Sequence, residues 1–146
     1  MTSVADREIV STRLLAAPRE KVFAAFSDPK ALAAWWGPKG FTNRFRTFEF
    51  KPGGTWLFEM IGPTGTVYEN ESRFVEIVRP ERIVFDHLRT HHRFLMTITL
   101  ADEVGKTRIV WRMTFETPAE REKVKAFVPE ANEQNFDRLE AHLSLK

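Results

Sequence analysis

The sequence predicts an α+β fold in which a curved antiparallel sheet of six or seven strands wraps around a long C-terminal helix. Strand-like segments follow one another from Phe41 to Thr117 with no convincing helix between them, and helical patterns occupy both ends of the chain. An antiparallel sheet whose helices all gather at one side must bend around them to bury its apolar face. A bent sheet closed by a helix tends to enclose a pocket, so the order of elements predicts a binding cavity.

Length and composition favour one globular unit. At 146 residues the chain is predicted to form a single domain, residues 1–146, that is large enough to bury its own core. Hydrophobic residues make up 42% and charged residues 29% of the sequence, which argues against disorder. Thirteen Phe, four Trp and one Tyr are many rings for this length, and they fit either a dense core or an aromatic-lined pocket.

Composition also excludes several classes of function. The chain has no Cys, which rules out disulfides, thiolate catalysis and Cys-based metal sites. The N-terminal residues lack an apolar core, and no apolar run approaches the roughly 20 residues of a membrane span, so we expect a cytoplasmic protein with no membrane partner. The 22 basic and 20 acidic residues give a net charge of +2 without a basic cluster, so no nucleic-acid partner is expected.

The N-terminal part is predicted to contain one strand and two short helices. Alternating apolar residues over 8–16 indicate the strand, and Pro18 opens a helix over 19–27, because its missing N–H costs nothing in the first turn. Asp28 is a good N-cap for a second helix over 30–36, which ends at Gly37.

Six further strands are predicted by alternating apolar residues between turn signals. They cover residues 41–51, 55–61, 66–78, 82–88, 94–100 and 107–117, with a hairpin loop over 101–106. The faces assigned to the core are Trp56, Phe58 and Met60 on one strand and Ile109, Trp111, Met113 and Phe115 on another. Pro118 ends the sheet, a short helix covers 119–125, and the final helix covers 130–145 after a kink or a fresh start at Pro129.

Several local motifs resemble a known superfamily. Residues 17–23 look like the "APxExVF" opening of the START-like superfamily, whose helix-grip fold is shared by polyketide cyclases and plant ligand-binding proteins. Further motifs are similar to the family named for the activator of the heat-shock protein 90 ATPase, in its bacterial single-domain branch. These motifs are Asp28-Pro29, Trp35-Trp36-Gly37-Pro38, Pro52-Gly53-Gly54-Thr55-Trp56, Gly65 with Tyr68, and residues 76–83. The resemblance extends over residues 9–143.

The resemblance implies a fold and a cavity between the sheet and the C-terminal helix, and it transfers no catalytic residue. In the eukaryotic activator this domain follows a separate N-terminal chaperone-binding domain, which we expect this chain to be too short to contain.

The predicted pocket wall combines inward-facing strand residues with residues from the helical side. Its members are Trp56, Phe58, Tyr68, Phe74, Phe85, His87, Trp111, Met113, Phe127 and Asn135. Most would supply apolar contact, whereas Tyr68, His87 and Asn135 would orient a ligand by hydrogen bonds. For the adjacent Trp35 and Trp36 two interpretations remain: one indole caps the pocket while the other anchors its helix, or both plug the joint between helices and sheet.

No catalytic, metal or cofactor site is predicted. The sequence has no phosphate loop, no nucleophile elbow and no His-Glu-x-x-His motif. The adjacent His91 and His92 would point apart in an extended loop and are expected to be solvated. His87 shares a strand face with Ile83 and Phe85, so it is either a core histidine or a polar group in the pocket.

Three functions follow from the sequence. The leading hypothesis is a small soluble protein that binds a hydrophobic or aromatic small molecule in the cavity. The second is a cyclase or hydrolase that uses His87 with a carboxylate in the same cavity. The third is a chaperone activator or other interaction module, whose partner would be a chaperone, and a homodimer is also open. A roomy cavity favours the first two hypotheses, and a filled interior favours the third.

Overall fold

The computed structural model describes residues 4–88 and 93–144. After a 3-10 turn (Val4–Arg7), the elements in chain order are β1 (Glu8–Leu15), α1 (Arg19–Ser27), α2 (Pro29–Trp35), β2 (Thr42–Phe48), β3 (Thr55–Ile61), β4 (Val67–Val78), β5 (Arg82–His87), β6 (Phe94–Glu103), β7 (Lys106–Phe115), α3 (Pro118–Val124) and α4 (Val128–Leu143). None of the helices so described is long and apolar enough to cross a membrane.

The strands form one antiparallel sheet in the order β1-β7-β6-β5-β4-β3-β2, so β1 and β2 are its edges. The sheet is open and curved, and α4 packs against its concave face. Phe136 of α4 is fully buried and meets the Trp111 ring edge-on at 5.3 Å between ring centroids. The predicted α+β fold with two short helices after the first strand is therefore confirmed, and the sheet has seven strands.

The hairpin between β6 and β7 is tighter than predicted. A loop over 101–106 was expected, but Glu103 pairs directly with Lys106, and only Val104 and Gly105 connect the strands. Both connecting residues have positive φ, 54° and 79°, as a two-residue hairpin turn requires. The residues at these strand ends are exposed and mostly polar, so the alternation of apolar residues stops before the strands do. The backbone hydrogen bonds between the two strands continue to Glu103 and Lys106.

A bulge in β2 explains the imperfect alternation of its sequence. The register with β3 shifts between Phe45 and Thr47. Because one extra residue is inserted there, Phe45 and Phe48 both turn to the concave face, where each packs within 6 Å of the Trp56 ring. The strand ends at Phe48, three residues before the predicted boundary.

The terminal helix begins at Val128, two residues before its predicted start, with Pro129 in its first turn. Proline is tolerated there because the first-turn N–H groups have no acceptor within the helix. Pro129 is therefore a start signal. The buried stripe of α4 contains Asn132, Asn135, Phe136, Leu139 and Leu143.

Candidate functional site

A cavity of about 310 Å³ lies between the concave face of the sheet and α4. This volume is at the lower end of the range that small-molecule sites occupy. The described residues around it are Trp36, Gly37, Pro38, Trp56, Phe58, Met60, Asn70, Ser72, Phe85, His87, Phe94, Met96, Trp111, Met113, Phe127, Val128, Ala131, Asn132 and Asn135. None of these is Asp, Glu, Lys or Arg, so the described wall is apolar with a few neutral polar groups.

Aromatic rings form much of the wall on the sheet side. The Trp56 ring stacks on Phe58 with centroids 4.3 Å apart, and its edge contacts Phe85. These residues lie on adjacent strands and point inward because side chains alternate between the two faces of a strand. Both neighbours are therefore held against Trp56 at stacking or edge-to-face distances.

The two adjacent tryptophans take different roles. Trp35 is buried between α1 and α2, and its indole N–H donates to the carbonyl of Ala25 at 3.1 Å. Trp36 lies one residue beyond α2 in extended conformation, so its ring points the other way and lines the cavity. It stacks on Trp111 at 5.2 Å. One indole thus anchors the helix and its neighbour lines the site, as in the first of the two interpretations.

Side chains of α4 hold the segment that carries Trp36. The Arg138 guanidinium donates to the carbonyls of Trp36, Gly37 and Pro38 at 3.0, 3.0 and 3.1 Å. Asn135 accepts from the Gly37 N–H and donates to the Trp35 carbonyl. These bonds satisfy the Trp35 carbonyl at the end of α2 and backbone groups of the segment that follows it. Burial among them lowers the pKa of Arg138.

A second arginine holds the opposite flank of α4. Arg13 of β1 donates to the carboxylates of Glu133, Asp137 and Glu140. Partial burial lowers the pKa of Arg13, but the hydrogen bonds to the three carboxylates outweigh that effect and raise the pKa above its ordinary value. The same guanidinium lies over the Phe136 ring. Arginines on both flanks therefore fix the helix that forms one wall of the cavity.

Eight of the ten residues predicted from the sequence lie around the cavity. They are Trp56, Phe58, Phe85, His87, Trp111, Met113, Phe127 and Asn135. Their placement follows from strand alternation and from the position of α4. Whether they bind a ligand stays a prediction.

Tyr68 and Phe74 are not placed at the cavity. Both share the inward face of β4, but that strand is twelve residues long and extends past the cavity at each end. Tyr68 is 50% exposed at one end, beside the Phe41 ring, and Phe74 is buried against Phe50 at the other. Only Asn70 and Ser72, between them, line the cavity from this strand.

Asn135 lines the cavity and also has a structural role, and whether it orients a ligand stays a prediction. Its amide oxygen and nitrogen both bond the segment after α2, so it positions Trp36. Other lining residues were absent from the predicted set. Met60 lies on the same face of β3 as Trp56 and Phe58, so strand alternation could have included it in the predicted set. For the other residues, a place at the cavity depends on how the strands and α4 pack together; these are Phe94, Met96, Ala131 and Asn132.

His87 faces the cavity and is half-buried, with its ring stacked on Phe94 at 4.8 Å. The neighbouring Asp86 points to the other face, where its carboxylate accepts from Arg93 at 3.1 Å and raises the pKa of that arginine. No described carboxylate lines the cavity with His87. The predictions for His91 and His92 concern residues outside the described ranges. Across those ranges, no group of three or more His, Asp or Glu is arranged to hold a metal ion.

Solved structures of similar shape are numerous. A solution structure of a protein from Arthrobacter aurescens is 25% identical, with a TM-score of 0.89 over 99% of this chain and 90% of that one. A crystal structure from Chromobacterium violaceum is 27% identical, with a TM-score of 0.81 over 95% of this chain and 99% of that one. A crystal structure from Nitrosomonas europaea, at 22% identity and a TM-score of 0.86 over 98% and 97%, shares the fold. No curated protein matches the sequence.

One family model matches most of the chain. It is described as "Activator of Hsp90 ATPase homolog 1-like protein" and matches residues 16–144, from the end of β1 to the end of α4. That range contains the Trp36 segment, the six strands that follow it and the terminal helix, which together enclose the cavity. The chain therefore belongs to the family of activator of Hsp90 ATPase homolog 1-like proteins, and the predicted resemblance is confirmed.

Proposed function

We propose that the protein binds one hydrophobic or aromatic small molecule in the cavity between the sheet and α4. The observation that carries this proposal is the half-open space of about 310 Å³ bordered by rings and thioether side chains, with no Asp, Glu, Lys or Arg in the described wall. Apolar walls with a few polar groups are typical of ligand sites, and burial of apolar ligand surface supplies the driving force. The protein is a small soluble carrier or sensor of such a molecule.

The geometry favours this function over the two alternatives. An enzyme that uses His87 with a carboxylate needs the two groups within hydrogen-bond reach, and Asp86 faces away from the cavity toward Arg93. An interaction module without a ligand would be expected to have a filled interior, whereas α4 here stands clear of part of the sheet. No specific surface of the described residues favours a chaperone partner, so neither alternative is proposed.

Tryptophan emission can test this proposal, because Trp36, Trp56 and Trp111 all line the cavity. Titration with a library of polycyclic aromatic compounds should give a saturable change with at least one of them. A ligand present at about 100 times its Kd should also raise the free energy of unfolding by about 2.7 kcal/mol.

A pair of helix variants separates cavity binding from adsorption to the surface. Ala131 of α4 lines the cavity, whereas Ala119 of α3 is exposed. In Ala131→Leu the added carbons occupy ligand space, and we expect the affinity to fall by about tenfold or more. Ala119→Leu should bind as the unmodified protein does. Equal affinities in both variants, or no saturable change with any compound, would refute cavity binding.

A further inference from the structure

A buried hydroxyl without a partner marks one place in the cavity wall. Ser72 of β4 is 1% exposed and lines the cavity. Its Oγ has no hydrogen-bond partner within the part of the chain that the structure describes. Buried hydroxyls are normally hydrogen-bonded, because leaving one unpaired away from water costs free energy. Such an atom in a cavity wall points to a ligand that satisfies it.

The strands on either side place further polar groups beside Ser72. In the sheet register Ser72 is directly opposite Trp56 on β3 and His87 on β5. Directly opposed residues have Cβ atoms about 4.5–5.5 Å apart, so the three side chains form one row across the inner face. All three line the cavity. The indole Nε1 of Trp56 is buried and, like Ser72 Oγ, has no acceptor among the described residues.

The chemistry of this row favours a ligand that accepts hydrogen bonds. An indole N–H is only a donor, and a hydroxyl can donate its proton to any acceptor within reach. The Nε1 of Trp111, on β7, is a third buried donor in the wall without a described partner. Three buried groups of the wall can therefore donate a hydrogen bond to a ligand. Ser72 can turn Oγ among three staggered positions without backbone movement, so it is the group best able to meet a ligand.

The same wall argues against an anionic ligand. A carboxylate or phosphate removed from water is costly unless a cation pairs with it, and the described wall contains no Lys or Arg. A neutral carbonyl accepts two hydrogen bonds and carries no net charge. We propose that Ser72, in the row with Trp56 and His87, recognises the carbonyl oxygen of a neutral aromatic ketone or quinone. This inference rests on the proposed function and specifies the chemical class of its ligand.

The test compares fluorene with fluorenone, which share a three-ring frame and differ by the carbonyl oxygen. The measured quantity is the ratio of the two Kd values, determined by calorimetry for the unmodified protein and for Ser72→Ala. Comparing ratios cancels the different hydrophobicity of the two compounds. One neutral hydrogen bond predicts that Ser72→Ala shifts the ratio about fivefold against fluorenone while the fluorene Kd changes little.

A matched control removes a buried hydroxyl outside the cavity wall. Thr107 of β7 is fully buried and lies outside the described wall, and its Oγ1 donates to the Ala17 carbonyl at 2.7 Å. Thr107→Val should leave the ratio of Kd values unchanged. The infrared carbonyl band of bound fluorenone provides a readout that needs no variant. Hydrogen bonding should move that band to lower frequency than in a dry apolar solvent.

The outcomes separate this inference from the proposed function. A ratio that stays the same in Ser72→Ala, or a carbonyl band at its apolar-solvent position, would contradict the recognition of a ligand carbonyl at Ser72, which we call the carbonyl subsite. The proposed binding of an aromatic molecule in the cavity would not be affected by that result. If neither compound binds and no member of the aromatic library does, the proposed function fails and the subsite fails with it. A shifted ratio together with a shifted band supports the subsite.

Discussion

At the scale of single residues, Arg138 connects the terminal helix to the cavity wall. One guanidinium satisfies the carbonyls of Trp36, Gly37 and Pro38, and its second terminal nitrogen bonds the carbonyl of Ala34 at 3.1 Å. Hydrogen bonds that involve a charged donor are worth more than neutral ones. The position of the Trp36 ring therefore depends on a side chain that is about 100 residues away in sequence.

We expect Arg138→Met to lower the free energy of unfolding by about 2 kcal/mol, because it leaves the carbonyls of Ala34 and Gly37 without a described donor. The near-ultraviolet circular dichroism of the stacked Trp36 and Trp111 should weaken as well. Urea unfolding measures the first effect. The control is Lys125→Met, whose exposed ammonium makes one surface ion pair with Glu122 and should change stability by less than about 0.5 kcal/mol. Equal losses in both variants would contradict this role for Arg138.

At the scale of elements, the edge strand β2 is fastened to β3 on the convex face. Arg44 and Arg46 of β2 both reach Glu59 of β3, at 3.4 and 2.7 Å. Glu59 is only 7% exposed because these side chains cover it. The hydrogen bond from Arg46 holds the pKa of Glu59 below its ordinary value of 4.5. The bulge in β2 leaves Arg44 and Arg46 on the convex face while Phe45 and Phe48 turn inward.

The lowered pKa of Glu59 predicts an acid-dependent loss of stability. A carboxylate with a depressed folded-state pKa stabilises the protein above the unfolded-state pKa, and that stabilisation disappears as the pH falls through the folded-state pKa. The contribution of Glu59 is therefore complete at neutral pH and is lost below pH 4.5. Denaturant unfolding between about pH 7 and pH 3 should show a smaller acid-induced loss for Glu59→Gln than for the unmodified protein. Parallel pH profiles would rule out this contribution.

At the scale of the whole molecule, the curvature of the sheet and the rigidity of α4 together create the cavity. Arg13 and Arg138 hold the helix at its two flanks, and Phe136 between them reaches the sheet at Trp111. The helix is thus fixed to β1 and to the segment after α2. From α4, the small side chain of Ala131 lines the space that remains.

We expect the chain to unfold as one cooperative unit, which is also the test of the predicted single domain. Tryptophan emission and far-ultraviolet circular dichroism should give coincident unfolding curves. Phe136→Ala should lower the free energy of unfolding by about 3–5 kcal/mol in both signals, because it removes a fully buried ring between helix and sheet. Phe136→Leu is the matched control, with an expected loss of less than about 1.5 kcal/mol. Two separate transitions would contradict a single domain.

Much of this structure can be predicted from local patterns in the sequence. Strand alternation predicts which face of β3 and β7 is buried, and the signals at Asp28, Pro29 and Gly37 predict the bounds of α2 to within one residue. The same alternation includes six of the eight predicted residues around the cavity, and the other two, Phe127 and Asn135, come from the helical side. It wrongly places Tyr68 and Phe74 at the cavity, because alternation shows which face of a strand a residue is on but not where along the strand the cavity ends.

The sequence by itself determined the fold class, the family and the apolar faces of β3 and β7, since these depend on periodicity and motifs within short segments. Only the tertiary structure decided which part of those faces borders open space, because that depends on the bulge in β2, the curvature of the sheet and the position of α4. It also decided that Asn135 bonds the backbone beside Trp36 and that Ser72 has no partner within the described chain. Hydrogen bonds between distant segments leave no pattern in a local sequence, so these roles become visible only when the segments meet.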